Sequence, residues 1–537
     1  MRIGSARVAA LVLASLLAAS PALARVVLVG VDGGSWNLLD SRMASGELPH
    51  LAALARRGVT GELASVRPVS SPTVWTSIAT GREPGAHGIQ SFYVTADDLR
   101  VPTVWERLAA QGLRVGLYDY LVTWPPRALP GGFVIPGWLR RDPATAPADV
   151  FERAGLTPYA YSLDGVRAPG EFLENCRREL LQKPERFVRL LERYDPDVAA
   201  VTFYSIDAAS HRFWDDSFPE DFAPGKGKPD PRYREVVPEM LRGVDAAIGR
   251  IAASLGPDDT LLVASDHGFF AEPDGVRRVW QTEVDAWVER AGLLPERDGF
   301  EIASGFRFVI FRVLPGPFAE REATTVRLSE LLESARSPTG EALFGVELLD
   351  RVERPAGAER PLAARLRQFA VRLFLWWRDV VFDQPAHAYV FGVPQGEVLD
   401  PLWPDGEVLL GGERLPIATL THADDFSGTH DPTGIFLAGG RGVAQSSERL
   451  ELSVLDLAAL LFYLSDRPVP DDLDGTLPGR VLDPQHRAEH PPRRVAAADL
   501  PTLAAPVAAG PEPAGPGPEP AGDEAVTERL RSLGYVE

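Results

Sequence analysis

Short, unbroken runs of apolar residues recur along the chain, and segments with apolar residues at helical spacing separate them. Such runs are typical of strands that are buried on both faces of a sheet. They comprise residues 26–31, 198–204, 260–264 and 434–438. Helical spacing is clear at residues 51–55 and 240–255. Buried strands that alternate with helices predict an α/β fold, a doubly wound and mostly parallel sheet with helices on both faces.

The alternation weakens between about residues 270 and 420, which we expect to form an inserted cap subdomain. The main domain is then expected to span residues 25–484. Residues 485–522 are rich in Pro, Ala and Gly, which predicts a solvated linker, and residues 523–537 predict a short C-terminal helix.

The first residues follow the pattern of a secretory signal. Arg2 and Arg7 precede an apolar run over residues 8–19, and Pro-Ala-Leu-Ala follows at residues 21–24. This order predicts a signal peptide, residues 1–24, cleaved after Ala24, and hence a secreted or periplasmic protein. The apolar run is shorter than the ~20 residues that a transmembrane helix needs, so an uncleaved anchor is the weaker alternative.

Composition and charge narrow the classes of function. The 537 residues include 55 Lys and Arg against 75 Asp and Glu, a formal net charge of −20. Such a chain is a poor general binder of nucleic-acid backbone, because that affinity depends on lysine and arginine. The single cysteine, Cys176, excludes an intramolecular disulfide and a cysteine-based zinc finger. The oligomeric state stays open.

Ligand-type side chains follow three of the predicted strands at the point where each strand ends. Asp32 follows the first, Asp207 and His211 follow the second, and Asp266 and His267 follow the third. Because ligands bind beyond the carboxyl ends of strands in open α/β sheets, we expect these groups to converge on one crevice. Asp207 and His211 are four residues apart, so they share a face and can hold one ion if a helical turn follows the strand.

The adjacent pair at the third strand end and one further histidine complete the candidate set. Asp266 and His267 are adjacent, so they would chelate from a turn, which Gly268 permits. His430 is expected in a turn just before the strand at Gly434. Each residue alone has a plainer interpretation, as a helix cap or a hydrogen-bonded loop residue, but capping does not explain three such strand ends. Nitrogen and oxygen donors without thiolate suit catalytic zinc, with manganese or iron as alternatives.

A candidate nucleophile lies in residues 70–81, SSPTVWTSIATG. Serine followed by proline is typical of the N-cap and first residue of a helix, so we expect Ser71 at the N-cap. A hydroxyl there faces free N–H groups and the positive end of the helix dipole, which favour an incoming phosphate. A metal ion on the same oxygen would lower its pKa. A simple capping serine is the alternative.

Taken together, these segments resemble the alkaline phosphatase superfamily, in particular its type I phosphodiesterase/nucleotide pyrophosphatase-like branch. The resemblance runs from Val26 to about Leu482 and leaves out most of the predicted insert. The segments that carry it occur in the order VVLVGVDGG, LPHLAALARRGV, SSPTVWTSIATGREPGAHGI, SIDAASHRFW, ASDHGFF and GTHDPTGIFLAGG.

The resemblance implies two divalent metal ions, most simply Zn²⁺, around a serine or threonine nucleophile. One ion, which also binds the nucleophile, would be held by Asp32, Asp266 and His267. The other ion would be held by Asp207, His211 and His430. The family's nucleophile stands nine residues before a Thr-Gly pair, here Thr80-Gly81, which implies Ser71, or Thr73 if the loop is shifted by two residues.

The chain also departs from the branch. Its members usually have a threonine nucleophile and an asparagine soon after a His-Gly-Ile segment, whereas Gln90, Ser91 and Phe92 follow here. No counterpart of the phosphate-clamping arginine of the monoesterases is evident. The resemblance and the predicted signal peptide together imply a secreted metal-dependent hydrolase of phosphodiester or pyrophosphate bonds in an anionic phosphate-ester substrate. A phosphomonoesterase or phosphoryl-group transferase, or a catalytically silent binding module with the same fold, stays as an alternative.

Residues 369–378, FAVRLFLWWR, predict a helix that is apolar over most of its surface. Packing on the cap's own core is the first interpretation. An interfacial helix, giving peripheral membrane or lipid contact, is the second.

Overall fold

The computed structural model describes most of the chain. The described residues are 24–92, 94–158, 169–225, 227, 229–272, 277–282, 288–305, 308–336, 342, 344–350, 387–394, 407–410, 413–416 and 421–503. Residues 1–23 of the predicted signal peptide, the predicted helix at 369–378 and the predicted C-terminal helix lie outside them.

The strands are numbered in chain order. They are β1 Val26–Val31, β2 Val59–Ala64, β3 Val115–Tyr120, β4 Phe133–Pro136, β5 Val198–Phe203, β6 Thr260–Ala264, β7 Gly268–Ala271, β8 Arg277–Thr282, β9 Phe300–Gly305, β10 Phe308–Val313, β11 Phe344–Asp350, β12 Ala388–Pro394, β13 Glu407–Leu410, β14 Glu413–Pro416, β15 Thr421–Phe426, β16 Gly428–Asp431, β17 Thr433–Gly440, β18 Arg449–Ser453, β19 Val469–Pro470 and β20 Arg494–Val495.

The α-helices are numbered in the same way. They are α1 Trp36–Ser45, α2 Pro49–Arg57, α3 Ser71–Thr80, α4 Pro84–His87, α5 Val104–Ala110, α6 Val150–Arg153, α7 Pro169–Tyr194, α8 Ser205–Ser217, α9 Val236–Ala252, α10 Pro295–Asp298, α11 Phe318–Ser334, α12 Asp456–Leu464 and α13 Pro484–Glu489.

A large, mostly parallel sheet forms the centre of the main part of the chain. Its strand order is β18-β2-β17-β6-β1-β5-β3-β4. β1 pairs in parallel with both β5 and β6, and β3 pairs in parallel with β4 and β5, whereas β17 is antiparallel to β6 and β2. All residues of β1 are buried, as an unbroken apolar run predicts for a strand covered on both faces. The predicted α/β fold is confirmed.

Two sets of helices flank this sheet. Helices α2, α7 and α9 pack together and against β17, β3 and β5. Helices α3, α5 and α12 pack together, and α5 also packs on β3. The sets differ in burial: α9 buries one apolar face, whereas most of α12 is buried. Because the faces of the central strands are covered in this way, a ligand can reach them only beyond their carboxyl ends, where open α/β sheets bind their ligands.

The chain divides into two compact units. Of the described residues, the first unit comprises those up to Ser210, Glu235–Phe270 and those from His430 onwards, and it contains the eight-stranded sheet. The second unit comprises His211–Arg234 and the described residues of Ala271–Thr429. It contains an antiparallel sheet of order β11-β12-β10-β9, whose core includes Phe300, Phe311, Leu328 and Val390. The predicted insert at 270–420 falls within the second unit, which also takes residues 211–234. An antiparallel sheet explains why the strand–helix alternation weakens there.

The expected linker begins with folded residues. Helix α13 is capped by Asp483, whose carboxylate accepts a hydrogen bond of 2.8 Å from the His486 N–H. β20 pairs in parallel with β19, and a 3₁₀ helix follows at Ala497–Asp499. The linker prediction is therefore wrong over residues 485–499, because amino-acid composition does not reveal hydrogen bonds to a distant strand. Among the residues described, no helix has both the length and the apolar character that crossing a membrane requires.

Candidate active site

Asp32 lies directly beyond the carboxyl end of β1, as predicted. Its N–H donates to the carbonyl of Phe203 at the end of β5 over 2.9 Å, and its side chain is fully buried. Both carboxylate oxygens accept hydrogen bonds from α3. Oδ2 accepts from Nε1 of Trp75 at 2.9 Å, and Oδ1 accepts from Oγ of Ser71 at 3.3 Å. The central strand and the start of α3 therefore meet at this carboxylate.

The candidate nucleophile is the first residue of α3. Ser70, in an extended conformation, occupies the N-cap, so the prediction of Ser71 at the N-cap is wrong by one residue. The shift is tolerated because proline lacks only an N–H that has no partner in the first helical turn. The hydroxyls of Ser70 and Thr73 pair with each other at 2.9 Å. Of the two candidates, Ser71 is therefore the one whose hydroxyl contacts Asp32.

Asp266 and His267 lie between β6 and β7. Oδ1 of Asp266 accepts from the Gly33 N–H at 3.4 Å, and Oδ2 lies 3.3 Å from Nε2 of His267. Gly268, which follows them, does not have a left-handed backbone. A Cβ at Gly268 would stand 2.3 Å from the carbonyl oxygen of Thr433, so the glycine permits close approach of β17.

Helix α8 begins immediately after β5 and carries Asp207 in its first turn. His211 follows one helical turn later in the same helix, so the helical turn expected after the strand is present. The division into units falls in this helix, after Ser210. Within its own unit, His211 Nδ1 lies 3.2 Å from the carbonyl of Gly428, and its ring packs edge-on to Phe426.

His430 lies in the short strand β16 and not in a turn, which corrects the prediction. The turn comes after it, where the Asp431 carboxylate accepts a 2.8 Å hydrogen bond from the Thr433 N–H. Nδ1 of His430 lies 3.0 Å from the carbonyl of Val69. That contact directs Nε2 towards Asp207, whose Oδ1 is 3.3 Å away.

A single histidine nitrogen connects the carboxylates. Nε2 of His267 lies 3.5 Å from Oδ1 of Asp32 and 3.8 Å from Oδ1 of Asp207. These three residues are all buried, and their ligand atoms lie within 4.8 Å of one another, a spacing suited to a metal ion. The structure thus brings together the three predicted strand ends, together with Ser71 and His430.

Comparison with known proteins identifies the family. The family model described as type I phosphodiesterase / nucleotide pyrophosphatase matches residues 26–356. The chain belongs to this family. It is an enzyme that hydrolyses phosphoric esters, of the phosphodiesterase/pyrophosphatase type, and its family is metal-dependent.

Solved structures similar to this phosphodiesterase-family chain have low sequence identity to it. Murine ectonucleotide pyrophosphatase/phosphodiesterase 5 is 14% identical, with a TM-score of 0.42 over 86% of this chain and 100% of that chain. Phosphonoacetate hydrolase from Sinorhizobium meliloti 1021, in complex with phosphonoformate, is 16% identical, with a TM-score of 0.39 over 82% of this chain and 96% of that chain. No curated protein matches the chain.

The electrostatics of the phosphodiesterase-family site favour a bound cation. Burial raises the pKa of Asp32 well above its usual range, and the charges of Asp266 and Asp207 raise it further. Burial, together with the charge of Asp207, raises the pKa of Asp266 to about 8. Burial lowers the pKa of His430, but its contact with Asp207 outweighs this and the net direction is upward.

A buried carboxylate oxygen without a hydrogen-bond donor also favours a bound cation at this site. Oδ2 of Asp266 is buried and has no hydrogen-bond partner among the residues that the structure describes. A buried carboxylate oxygen without a donor is costly, and a divalent cation removes that cost. Aspartate and histidine donors are also the types that zinc takes in catalytic sites. The residues present therefore fit a metal centre.

Two residues that contact the site were not predicted from the sequence. Trp75 donates to Asp32, and the Ser65 hydroxyl donates to the carbonyl of Asp266. The position of Trp75 could have been predicted, because it stands four residues after Ser71 on a predicted helix and so lies on the same face of that helix. Ser65 follows β2, and nothing in the local sequence distinguishes it from an ordinary loop serine.

Proposed function

We propose that this enzyme hydrolyses phosphodiester or pyrophosphate bonds with Ser71 as its nucleophile and two divalent metal ions, most simply zinc. The observation that carries the proposal is the hydrogen bond of 3.3 Å from the Ser71 hydroxyl to the Asp32 carboxylate. It joins the first residue of α3 to a cluster of buried acids. A hydroxyl used only for capping would instead accept from backbone N–H groups of its own helix.

The proposed ligands fall into two sets of three. One set is Asp32, Asp266 and His267, and the other is Asp207, His211 and His430. The close approach of His267 to the aspartates, and of His430 to Asp207, supports these sets. When bound, such ions lower the pKa of an attacking hydroxyl or water and neutralise charge on the transferring phosphoryl group.

The chain's own groups then account for the course of the reaction. The Ser71 oxygen attacks phosphorus in line, so that an oxygen–phosphorus bond forms while the bond to the leaving oxygen breaks. Asp32 orients the hydroxyl through the hydrogen bond described. N–H groups at the start of α3 favour the phosphate oxygens. The Ser71 proton departs with the leaving oxygen. Water then attacks phosphorus, the bond to Ser71 breaks, and a proton from that water restores the serine hydroxyl.

The proposal extends to location. The order of basic, apolar and small residues over 1–24 supports export to the periplasm or the exterior, with cleavage after Ala24. Mass spectrometry of the N-terminus of exported protein tests it. A chain that still begins at Met1 contradicts cleavage.

The test of the reaction pairs metal analysis with two substrates. Elemental analysis of the purified mature protein accompanies hydrolysis of bis-p-nitrophenyl phosphate and p-nitrophenyl phosphate by wild type, Ser71→Ala and Thr73→Val. We expect near two zinc per chain and diester turnover that Ser71→Ala abolishes. Thr73→Val should retain turnover, because the Thr73 hydroxyl contacts Ser70 and not Asp32.

Other outcomes would change the conclusion in distinct ways. Turnover of the monoester alone would make the enzyme a phosphatase. Loss of turnover in Thr73→Val with retention in Ser71→Ala would identify Thr73, and not Ser71, as the nucleophile. Absence of both metal and turnover in the wild type would contradict the two-metal hydrolase and favour a binding module.

A further inference from the structure

We infer that Trp75 is a positioning residue for Asp32: its indole N–H holds one carboxylate oxygen, so that the other faces Ser71 and His267. The inference rests on the proposed function, since it assigns Asp32 to a metal ion. It adds a role for a residue that offers no metal-binding atom. Trp75 is fully buried, so its N–H is not a surface donor that happens to be near the site.

The two oxygens of Asp32 are divided between different partners. Oδ2 accepts from Nε1 of Trp75 at 2.9 Å. Oδ1 accepts from the Ser71 hydroxyl at 3.3 Å and lies 3.5 Å from Nε2 of His267. The shorter bond to Trp75 therefore sets the rotation of the carboxylate about its Cβ–Cγ bond. With that rotation fixed, Asp32 presents one defined oxygen to the cluster.

The indole itself has little freedom to move. Trp75 Cη2 would stand only 2.5 Å from a Cβ built on Gly30, so the ring occupies the space that a side chain at position 30 would need. The backbone carbonyl of Trp75 accepts from the hydroxyl of Tyr120 at 2.8 Å, and the two rings pack edge-on with centroids 5.7 Å apart. The space at Gly30 and the contacts with Tyr120 thus fix the Trp75 indole, whose N–H in turn orients Asp32.

Loss of the donor has a definite consequence. Oδ2 of Asp32 would become a buried oxygen with one donor fewer, and the carboxylate could rotate away from its present orientation. Groups that orient metal ligands typically contribute 10–100-fold to metal affinity. A change of this kind at Trp75 should weaken the binding of the ion that Asp32 holds. It should leave the ion assigned to Asp207, His211 and His430 nearly unaffected.

The experiment measures zinc binding by metal-stripped, full-length protein in competition with a chromophoric chelator. Trp75→Phe keeps an aromatic ring but removes the N–H. We expect one of two zinc ions to bind ~10–100-fold more weakly, with the second unchanged. A second variant replaces Trp75 by β-(3-benzothienyl)alanine, which keeps the size of the indole and exchanges the N–H for sulfur. It should show the same loss even if Trp75→Phe folds poorly.

Trp105 provides a matched control. It is also fully buried and also packs edge-on to Tyr120, with ring centroids 5.4 Å apart. Its Nε1 has no hydrogen-bond partner among the described residues. Trp105→Phe should therefore bind both ions with wild-type affinity. A general effect of removing a buried indole would appear in both tryptophan variants and would contradict the inference.

The outcomes separate this inference from the proposed function. If wild type and the benzothienyl variant bind both ions equally tightly, Trp75 does not position Asp32, and the two-metal proposal stands. If wild type binds no zinc at stoichiometric concentrations, the proposed function itself is wrong.

Discussion

The imidazole rings of His267 and His430 stack with their centroids 3.7 Å apart and their planes 21° from parallel. The rings come from different parts of the chain: His267 lies between β6 and β7, and His430 lies in β16. Each Nδ1 lies within hydrogen-bond distance of a backbone carbonyl, that of Gly268 or Val69, which directs both Nε2 atoms to the buried aspartates. Because two protonated rings would repel at this separation, the stacking disfavours protonation of both rings at once.

Removal of metal should destabilise the protein. The cluster contains the buried carboxylates Asp32, Asp207 and Asp266, whose mutual repulsion bound ions would offset. A ligand at 100 times its dissociation constant stabilises the folded state by about 2.7 kcal/mol. We therefore expect dialysis against a strong chelator to lower the melting temperature at pH 7.5, and added zinc to restore it. An unchanged melting temperature after verified metal removal would contradict a metal centre here.

Loss of His430 should remove one ion and most of the turnover. Its Nε2 lies 3.3 Å from Asp207 Oδ1, so His430→Ala deletes a proposed ligand of the second ion. We expect the metal content to fall from two towards one ion per chain. Turnover should fall ~10²-fold or more, which corresponds to about 3 kcal/mol of lost transition-state stabilisation. His490→Ala, at an exposed histidine, is the control, and equal metal content in both variants would contradict the assignment.

The sequence predicts the sheet and the position of acidic and histidine side chains at its strand ends, because both depend on local patterns. An unbroken apolar run is buried wherever it lies, and Asp32 and Asp266 lie next to such runs. Asp207 and His211 share a helix, so their spacing suffices to relate them. These residues lie on or next to a single strand or helix, so their separation in the sequence fixes their separation in space.

The features that the sequence does not predict depend on contacts between distant segments. Gly268 is required by the carbonyl of Thr433, 165 positions away, and not by its own backbone angles. His430 lies in a strand, although its neighbours have the composition of a turn. The donation from Trp75 to Asp32 joins residues 43 positions apart. In each case the deciding partner lies on another element, which no periodicity in the chain identifies.

Lys183 should be a major contributor to stability. It is fully buried, and its Nζ lies 2.7 Å from Asp119 Oδ2, forms an ion pair with Glu179 and donates to the Thr202 carbonyl at 2.7 Å. Burial lowers the pKa of Lys183, but the two carboxylates outweigh this and the net direction is upward. Lys183→Met leaves both carboxylates without their counter-charge. We expect the free energy of unfolding to fall by about 3–5 kcal/mol in urea denaturation.

The matched control for Lys183 is an exposed ion pair. Arg250 lies 3.3 Å from Glu185, and both side chains are more than half exposed. Such pairs contribute about 0–1 kcal/mol, so Arg250→Met should change stability little. If the two variants lose similar amounts, the buried ion pair does not hold this part of the fold together.

His87 should make the protein less stable in mild acid. Its ring is buried at the end of α4, where Nδ1 accepts from the Ile89 N–H at 3.1 Å and Nε2 lies 2.9 Å from the Ser77 hydroxyl. Burial lowers the pKa of His87 from 6.5 to about 4. The unfolded chain therefore takes up a proton that the folded chain excludes. The contribution of His87 is full above pH 6.5 and is lost as the pH falls towards about 4, by ~1.4 kcal/mol for each unit between the two pKa values.

Urea denaturation between pH 7.5 and 5 tests this prediction for His87. His87→Gln removes the titrating ring and keeps an amide that both donates and accepts hydrogen bonds. We expect it to be less stable than wild type at pH 7.5, and to lose less stability on acidification. Ser77→Ala is the informative comparison, because it deletes the hydroxyl partner but keeps the buried histidine, so it should lose stability in acid as wild type does. If His87→Gln loses as much stability on acidification as wild type does, the acid sensitivity comes from another group, because no ring remains at position 87 to take up the proton.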